Sequence, residues 1–463
     1  MNMFTLLVEP KFPIRRNNNG KTYPPVSLLK LGAYYKSKDH KVELVQGKQQ
    51  PRTQGVPNEI HITSLFTYWS EYVWDTVEYY RELYPSSKIV VGGVYVSLLW
   101  DTPQFKEKVR KYKVNYLVGL HEEAEKVLPD YSLLKKETKY HVMHLSRGCP
   151  RRCNFCGTWK IEPEVTFKTA EKALEEIKAV GKNHVLIYDN NLLTNPNILE
   201  FLKSVENLYI NGHRVSFEAQ SGFDGRLLSQ KTANLLKKAN FKNPRIAWDH
   251  GYSDHPKIKK QINYLVNAGF NKKDILVFML YNFDISHEEC MKKLKKCHEW
   301  GVQISDCRYR PLTQTYDNYS SNAHRKGQGS EDYYIHEKGG WSDEKIRSFR
   351  RSVREHNIGI RYSKTKVYNR AMDKRFTPLR FLFKQFEIGD KTPLLSELDK
   401  SQTLQKRVIL MNIAYNSLSR KDKKVSFANK KYVDIDKFLD RYVTKNKLEF
   451  RIENPPTWII PKW

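Results

Sequence analysis

Short apolar, β-branched runs recur along the first third of the chain: FTLLV (4–8), VELV (42–45), IHITSL (60–65), KIVVGG (88–93) and NYLVG (115–119). Between them, apolar residues return every three or four positions, as in LLKLGAYYK (28–36) and YVWDTVEYYRELY (72–84). The compact runs suit buried strands, and the three-to-four spacing suits helices with one face in a core. Strands alternating with helices predict a parallel sheet covered on both faces. Residues 1–135 therefore read as a doubly wound, Rossmann-like α/β domain. The turns after its strands, at Pro10–Pro13 and Gly92–Gly93, fall on the carboxyl edge, where such sheets bind ligands.

The alternation restarts at Tyr140. YHVMHLS (140–146), HVLIYD (184–189), RVSFEA (214–219), RIAWDH (245–250), DILVFMLY (274–281) and VQISDCRY (302–309) predict six strands. Helical patterns cover 169–180, 195–206, 226–239, 255–268 and 286–300. Six βα repeats over residues 136–310 predict a (βα)6 partial TIM barrel, with its chemistry at the carboxyl ends of the strands. Residues 311–341, rich in Asn, Ser, Gly and Tyr, break both patterns and predict a loop or lid. Ser342 then reads as a helix N-cap, with Asp343 and Glu344 in the first turn. It opens a mainly helical, basic C-terminal region over residues 342–463.

Charge sharpens that last segment. The chain carries a net +29, and residues 341–463 hold +15 of it, against +6 for 1–140 and +8 for 141–340. Such a field attracts polyanions, nucleic acid first among them. Residues 349–375 hold nine Arg or Lys against two acids, with Tyr362 and Tyr368 interleaved, and SRKDKKVSFANKKY (419–432) is a second basic stretch. Arginines among aromatics suit phosphates and stacked bases, and solvated basic helices would give the same count. No run of 18 apolar residues is present, so no membrane span is expected. The opening MNMFTLLVEPKFP lacks the basic segment and cleavage site of a signal peptide. A cytoplasmic setting follows, where thiols stay reduced. Six cysteines in 463 residues are not a disulfide framework.

Three of the six crowd into RGCPRRCNFC (147–156), directly after the first strand of the second set. Cys149, Cys153 and Cys156 have the spacing C-x3-C-x2-C, with Phe155 before the last. Three thiolates on one short loop can converge on a metal centre. Zinc in a structural site takes four protein ligands. No second knuckle follows here, since the next cysteine is Cys290 and His184 lies beyond the next helix. Three cysteines on a [4Fe–4S] cluster would leave its fourth iron open to a small-molecule ligand, as chelation of S-adenosylmethionine requires. A structural metal knuckle is the other reading.

On these residues the sequence resembles the radical SAM enzymes, whose signature is C-x3-C-x2-C with an aromatic before the last cysteine, on the loop after the first barrel strand. The resemblance implies that Cys149, Cys153 and Cys156 bind a [4Fe–4S] cluster. It also implies that the reduced cluster cleaves S-adenosylmethionine to a 5′-deoxyadenosyl radical, which takes a hydrogen atom from substrate. Arg147, Gly148 and Pro150 match the form common in subfamilies with cobalamin-type N-terminal domains. The family's Gly-Gly-Glu-like turn, which holds the methionine amino group, is here Asp189-Asn190-Asn191. Glu218 and Gln220, and Trp248 and Asp249, are candidates for ribose or substrate contacts, or polar strand residues that bond one another.

PPVSLLKLGAYY, ITSLFT and IVVGGVYVSLL are similar to cobalamin-binding-type domains. That similarity would set Ser64, Gly92 and Gly93 near a bound cobalamin. The D-x-H-x-x-G motif that supplies the lower cobalt ligand is absent, because Asp39-His40 and Gly47 have the wrong spacing. The domain thus reads as a cobalamin site or, preferably, as a scaffold without cofactor. Cys290, Cys297 and Cys307 read as core residues rather than as an auxiliary cluster. The resemblance and the basic tail together predict radical modification of a nucleic acid base, in tRNA or DNA, with an electron donor such as flavodoxin or ferredoxin. The alternatives are a cobalamin-dependent radical SAM methylase of a small molecule or peptide, and a non-catalytic iron–sulfur nucleic-acid-binding protein.

Overall fold

The five N-terminal apolar runs pair into one parallel sheet. Strands β1 (Phe4–Glu9), β2 (Lys41–Gln46), β3 (Glu59–Ser64), β4 (Lys88–Gly93) and β5 (Asn115–Tyr116) lie in the order β2-β1-β3-β4-β5. The computed structural model describes residues 3–13, 23–319 and 332–362. Helices α1 (Val26–Lys36), α2 (Ser70–Leu83), α3 (Val94–Leu99), α4 (Pro103–Tyr112) and α5 (Glu122–Glu125) join the strands. The period-two alternation of strands sorts side chains between two cores. Leu6, Val8, Ile60, Ile62 and Val91 pack with Val73 and Val77 of α2 and Val96 of α3. Leu7 turns the other way, onto Leu28 and Leu31 of α1 and Ala124 of α5. Both faces are therefore covered, and each fully buried Leu or Val contributes about 1.5–3 kcal/mol.

The second set comprises β6 (His141–Met143), β7 (Ser146–Arg147), β8 (Thr166–Phe167), β9 (His184–Ile187), β10 (Tyr209–Ile210), β11 (His213–Arg214), β12 (Ser216–Ala219), β13 (Arg245–Trp248), β14 (Leu276–Tyr281) and β15 (Gln303–Arg308). The six expected strands are β6, β9, β12, β13, β14 and β15. They form two parallel three-stranded sheets, β6-β9-β12 and β13-β14-β15. Beyond β12 the chain turns at Gly222 (φ 80), so Phe223 rather than β12 itself bridges to Ile246. Helices α6 (Thr158–Ile161), α7 (Ala170–Val180), α8 (Ile198–Ser204), α9 (Gln230–Lys238), α10 (His255–Asn267), α11 (His287–Trp300) and α12 (Asp343–Tyr362) follow their strands. Their ends are written in the sequence. Thr169, Ser229 and Ser286 cap α7, α9 and α11, each accepting a backbone N–H three residues on. Such a cap is worth about 1 kcal/mol. Gly181 and Gly301 end α7 and α11 in the left-handed region.

Some expectations shift. The fifth strand shortens to two residues, and the helix over 195–206 shortens to α8. VYVSLL forms helix α3 because Gly93, at φ 96, turns the chain out of β4. Of the predicted lid, residues 311–319 and 332–341 hold turns, a 3₁₀ turn at Glu337–Gly339 and a bridge from Tyr316 to Trp69, while 320–331 lie outside the described residues. Ser342 is the cap expected, its Oγ accepting from Lys345 N–H at 3.3 Å. The chain divides into two compact units, residues 1–350 and 351–463. Of the second, only the end of α12 is described, so the basic stretches at 364–375 and 419–432 lie outside the described residues. Among the described residues, no helix is long and apolar enough to cross a membrane.

Candidate active site at the cysteine loop

The cysteine loop leaves β7, and the antiparallel pairing of β7 with β8 closes it at its base. Gly148 sits at φ 73, and a Cβ there would collide with the Glu164 carbonyl, so the root of the loop requires glycine. Its N–H donates to Glu162 Oε2 at 2.6 Å. Arg147 reaches Glu162 Oε1 at 3.2 Å and Glu125 Oε2 at 2.6 Å, and Glu125 pairs with Lys30 at 2.9 Å. This chain of charges ties the root of the loop to α5 and α1 beside the N-terminal sheet. Sequence reasoning missed Glu162, whose only signal is its place six residues beyond Cys156.

All three thiols are free and partly exposed. Cys156 N–H donates to Cys153 O at 3.1 Å, and Trp159 Nε1 donates to the same carbonyl at 3.2 Å. Burial pushes the Cys153 thiol up, and Cys156, Asp249 and Cys149 nearby push it further. Among the described residues, no three His, Cys, Asp or Glu side chains are arranged around a single metal ion. A [4Fe–4S] cluster asks for something else, one thiolate at each iron, and three free thiols on one loop fit that demand. Cys290 and Cys297 are buried in α11, and burial pushes the Cys290 and Cys307 thiols up to about 12. Neutral buried thiols behave as core residues.

The turn after β9 splits its three residues. Asp189 is buried and turned back toward the first strand, accepting Leu145 N–H at 2.7 Å and the Ser146 hydroxyl at 2.5 Å. Burial pushes its pKa up to about 6. Asn190 faces the cysteine loop, accepting from Thr158 Oγ1 at 3.2 Å and donating to Glu162 at 3.4 Å. Asn191 is buried and donates to Asp224, which also pairs with Arg151 of the loop at 3.1 Å, while Asn191 Oδ1 has no partner.

On β12, Glu218 pairs with Arg245 at 3.0 Å and accepts from Gln220 at 3.2 Å and Asn243 at 3.0 Å. Its oxygens are satisfied within the protein. Trp248 stacks on Trp300 of α11 at 5.6 Å, so it belongs to the strand–helix core. Burial pushes the pKa of Asp249 up. Lys293, fully buried, donates to the Trp248 and His250 carbonyls at 2.8 Å each and fixes the backbone on either side of Asp249.

Two cavities meet at this loop. Ser64, Gly92 and Gly93 line one of about 230 Å³ at the carboxyl edge of β3 and β4. Ser64 Oγ donates to the Gly92 carbonyl at 2.7 Å, and a Cβ on Gly93 would strike the Ser64 backbone. The other, about 430 Å³, is lined by Phe155, Thr158, Asn190 and the segment after β15. Val94, Ile161 and Glu162 line both.

A parallel-sheet core with a three-cysteine loop after its first strand is the arrangement that the sequence resemblance predicts. Residues 143–299 match the family model of the radical SAM superfamily. Across residues 143–299 the chain carries a radical SAM domain, whose cofactors are a [4Fe–4S] cluster and S-adenosylmethionine. A non-catalytic role is thereby set aside. Among curated proteins, anaerobic magnesium-protoporphyrin IX monomethyl ester cyclase from Rubrivivax gelatinosus is 27% identical over 71 residues, 14% of this chain and 13% of that protein. The match thus spans about an eighth of that relative's length. Among solved structures, the radical S-adenosylmethionine methyltransferase TsrM from Kitasatospora setae, with cobalamin and a [4Fe–4S] cluster bound, covers 68% of this chain and 77% of its own, with a TM-score of 0.54 at 12% identity. That is a likeness of fold. Coproporphyrinogen III oxidase (HemN) from Escherichia coli covers 46% of this chain and 52% of its own, with a TM-score of 0.31 at 16% identity.

Proposed function

We propose that the enzyme is a cobalamin-dependent radical SAM methylase of a small molecule or peptide. One observation carries the reading: the cavity at the carboxyl edge of the N-terminal sheet shares a wall with the larger cavity at the cysteine loop. A group held over Ser64, Gly92 and Gly93 would meet a substrate held beside Phe155. The likeness in fold to a methyltransferase with cobalamin bound supports this. In this reading the N-terminal domain (1–135) is a doubly wound, Rossmann-like sheet that carries cofactor rather than a bare scaffold. Residues 136–310 are the partial barrel, 311–341 the lid and 342–463 the basic C-terminal region.

Cys149, Cys153 and Cys156 would hold the cluster, and Asn190 and Asn191, in the turn after β9, would contact S-adenosylmethionine. When bound, the cluster supplies an electron to S-adenosylmethionine, and cobalamin supplies a carrier for a methyl group. The protein's own part is to position and to exclude water. Glu162 and Arg147 fix the root of the loop, and Phe155, Leu98 and Leu312 give the larger cavity apolar walls. A one-electron donor such as flavodoxin or ferredoxin, and a reducing, cytoplasmic setting, go with this chemistry.

Modification of a nucleic acid base is the second reading. It rests on the charge of residues 341–463. Both readings are tested on protein reconstituted anaerobically with iron, sulfide and hydroxocobalamin, then reduced with S-adenosylmethionine present. Retention of about one cobalt per chain, expected for a built site of nanomolar to micromolar affinity, together with S-adenosylhomocysteine formation, supports the methylase. Absence of retained cobalt, with 5′-deoxyadenosine rising only on addition of total tRNA or DNA, would replace it with the second reading.

A further inference from the structure

The larger cavity carries a charge that the fold leaves unmatched. Arg308 and Arg310, at the end of β15 and just beyond, both line it. They share one carboxylate, Asp317, whose side chain is 1% exposed. Arg308 takes the better part of it: it pairs with Asp317, donates Nη1 to the Tyr334 carbonyl at 3.0 Å, and lies over the Tyr319 ring at 4.6 Å. Its side chain is 3% exposed, yet its Nε is buried without a hydrogen-bond partner. Arg310 is the poorer partner. Its Nε stands 3.3 Å from the other Asp317 oxygen, out of line for a hydrogen bond, and is buried without one. Its guanidinium lies over the Tyr68 ring at 4.3 Å, and Tyr68 stacks on Phe66 at 5.0 Å with the rings 6° apart. Three flat groups therefore stand in a row along the cavity wall. The cavity's other ionised residue, Glu162, is taken up by Arg147 and Gly148.

Among the described residues, then, two guanidiniums face one carboxylate, and one positive charge in a largely desolvated wall lacks a counter-ion. Such a charge is costly to leave unpaired. The planar fork of arginine matches the two oxygens of a carboxylate or phosphate. A cavity of about 430 Å³ is of the size that takes small molecules, and stacked aromatic rings favour a flat, apolar body. We propose that this cavity takes a small substrate with a flat apolar body and one anionic group, a carboxylate or a phosphate, and that Arg310 binds the anion. Arg308 is a positioning residue that holds Asp317 in place. The proposal rests on the small-molecule reading of function and names the class of molecule.

The test uses the full chain with its cluster reconstituted and S-adenosylmethionine saturating, so that sites for the cofactor's own carboxylate are filled. Binding of 3-phenylpropionate, phenyl phosphate, the neutral 3-phenylpropanamide and a ten-residue oligouridylate is measured by calorimetry. At least one small anion should bind about tenfold or more tightly than the amide, as a charge-assisted hydrogen bond requires. Which anion is preferred decides between carboxylate and phosphate. Arg310→Gln should bring anion and amide within about twofold of each other, and Arg310→Lys should keep part of the preference, having charge without the fork. Three results would each overturn the proposal: equal binding of anion and amide to the wild type, an undiminished preference in Arg310→Gln, or binding of the oligouridylate alone. Should Arg310→Gln not fold, Arg310→Lys and the wild-type comparison still decide. S-adenosylhomocysteine formation by the wild type, scored in parallel, reads the methylase assignment on its own, so failure of either is distinguishable.

Discussion

Asp189→Asn exchanges one carboxyl oxygen for an amide nitrogen where β9 meets the strand that leads into the cysteine loop. The carboxyl is buried, and burial pushes its pKa from 3.8 up to about 6 despite bonds from Leu145 and Ser146. In the unfolded chain it titrates near 3.9. Between roughly pH 4 and pH 6 the folded protein therefore binds more protons than the unfolded chain. Stability from this group is fully present below the unfolded value and is lost as pH rises through about 6. The full difference is on the order of 3 kcal/mol, and about 1.5 kcal/mol of it develops between pH 5 and pH 8. Asparagine does not titrate, and its amide can still accept from Leu145 N–H while donating to Ser146 Oγ. Asp189→Asn should thus gain about 1.5 kcal/mol on the wild type between pH 5 and pH 8, a relative shift of roughly 3 °C in melting temperature. Thermal denaturation of the cluster-free, reduced proteins at both pH values measures it, because groups that titrate alike in both proteins cancel. A variant that loses ground to the wild type as pH rises would refute the reasoning. The fold would then depend on the ionised carboxylate as acceptor.

Cys153→Ala should retain little iron after reconstitution and form no 5′-deoxyadenosine, read by metal analysis and mass spectrometry. Lys293→Met strands two buried carbonyls, at about 1–3 kcal/mol each, so its melting temperature should drop by several degrees; an unchanged melt would show that water replaces the ammonium. Glu218→Ala leaves Arg245 charged, mostly buried and without its carboxylate, a loss of about 3–5 kcal/mol. A raised KM for S-adenosylmethionine with an unchanged melt would instead give Glu218 a part in cofactor binding.

The sequence revealed the architecture where apolar periodicity is strong. All eleven expected strands pair, in two blocks that begin at β1 and β6, because each run is β-branched and bounded by turn residues. It was silent where tertiary contact overrides local pattern. VYVSLL is apolar but for Ser97 and has no period to mark it as a helix, so the left-handed Gly93 decides α3. The cysteines were legible because three thiols at short spacing are rare. Asp189 and Asn190 are neighbours, yet a single residue's step turns one inward to Leu145 and the other out to the loop. Nothing in their identity says which. Asp317 was illegible for a different reason: it meets Arg308 and Arg310 only after the chain has folded back across nine and seven positions of irregular loop.

The wall formed by Val94, Ile161 and Glu162 has a thermodynamic meaning. One carboxylate there fastens the root of the cysteine loop through Gly148 and Arg147 and borders both cavities. A molecule on one side that moved Glu162 would alter the shape and charge met by a molecule on the other. By linkage the influence must be equal in both directions. Occupancy on the N-terminal side and occupancy beside the cysteines would then be not two affinities but one coupled pair, and either ligand measured alone would report only half of it.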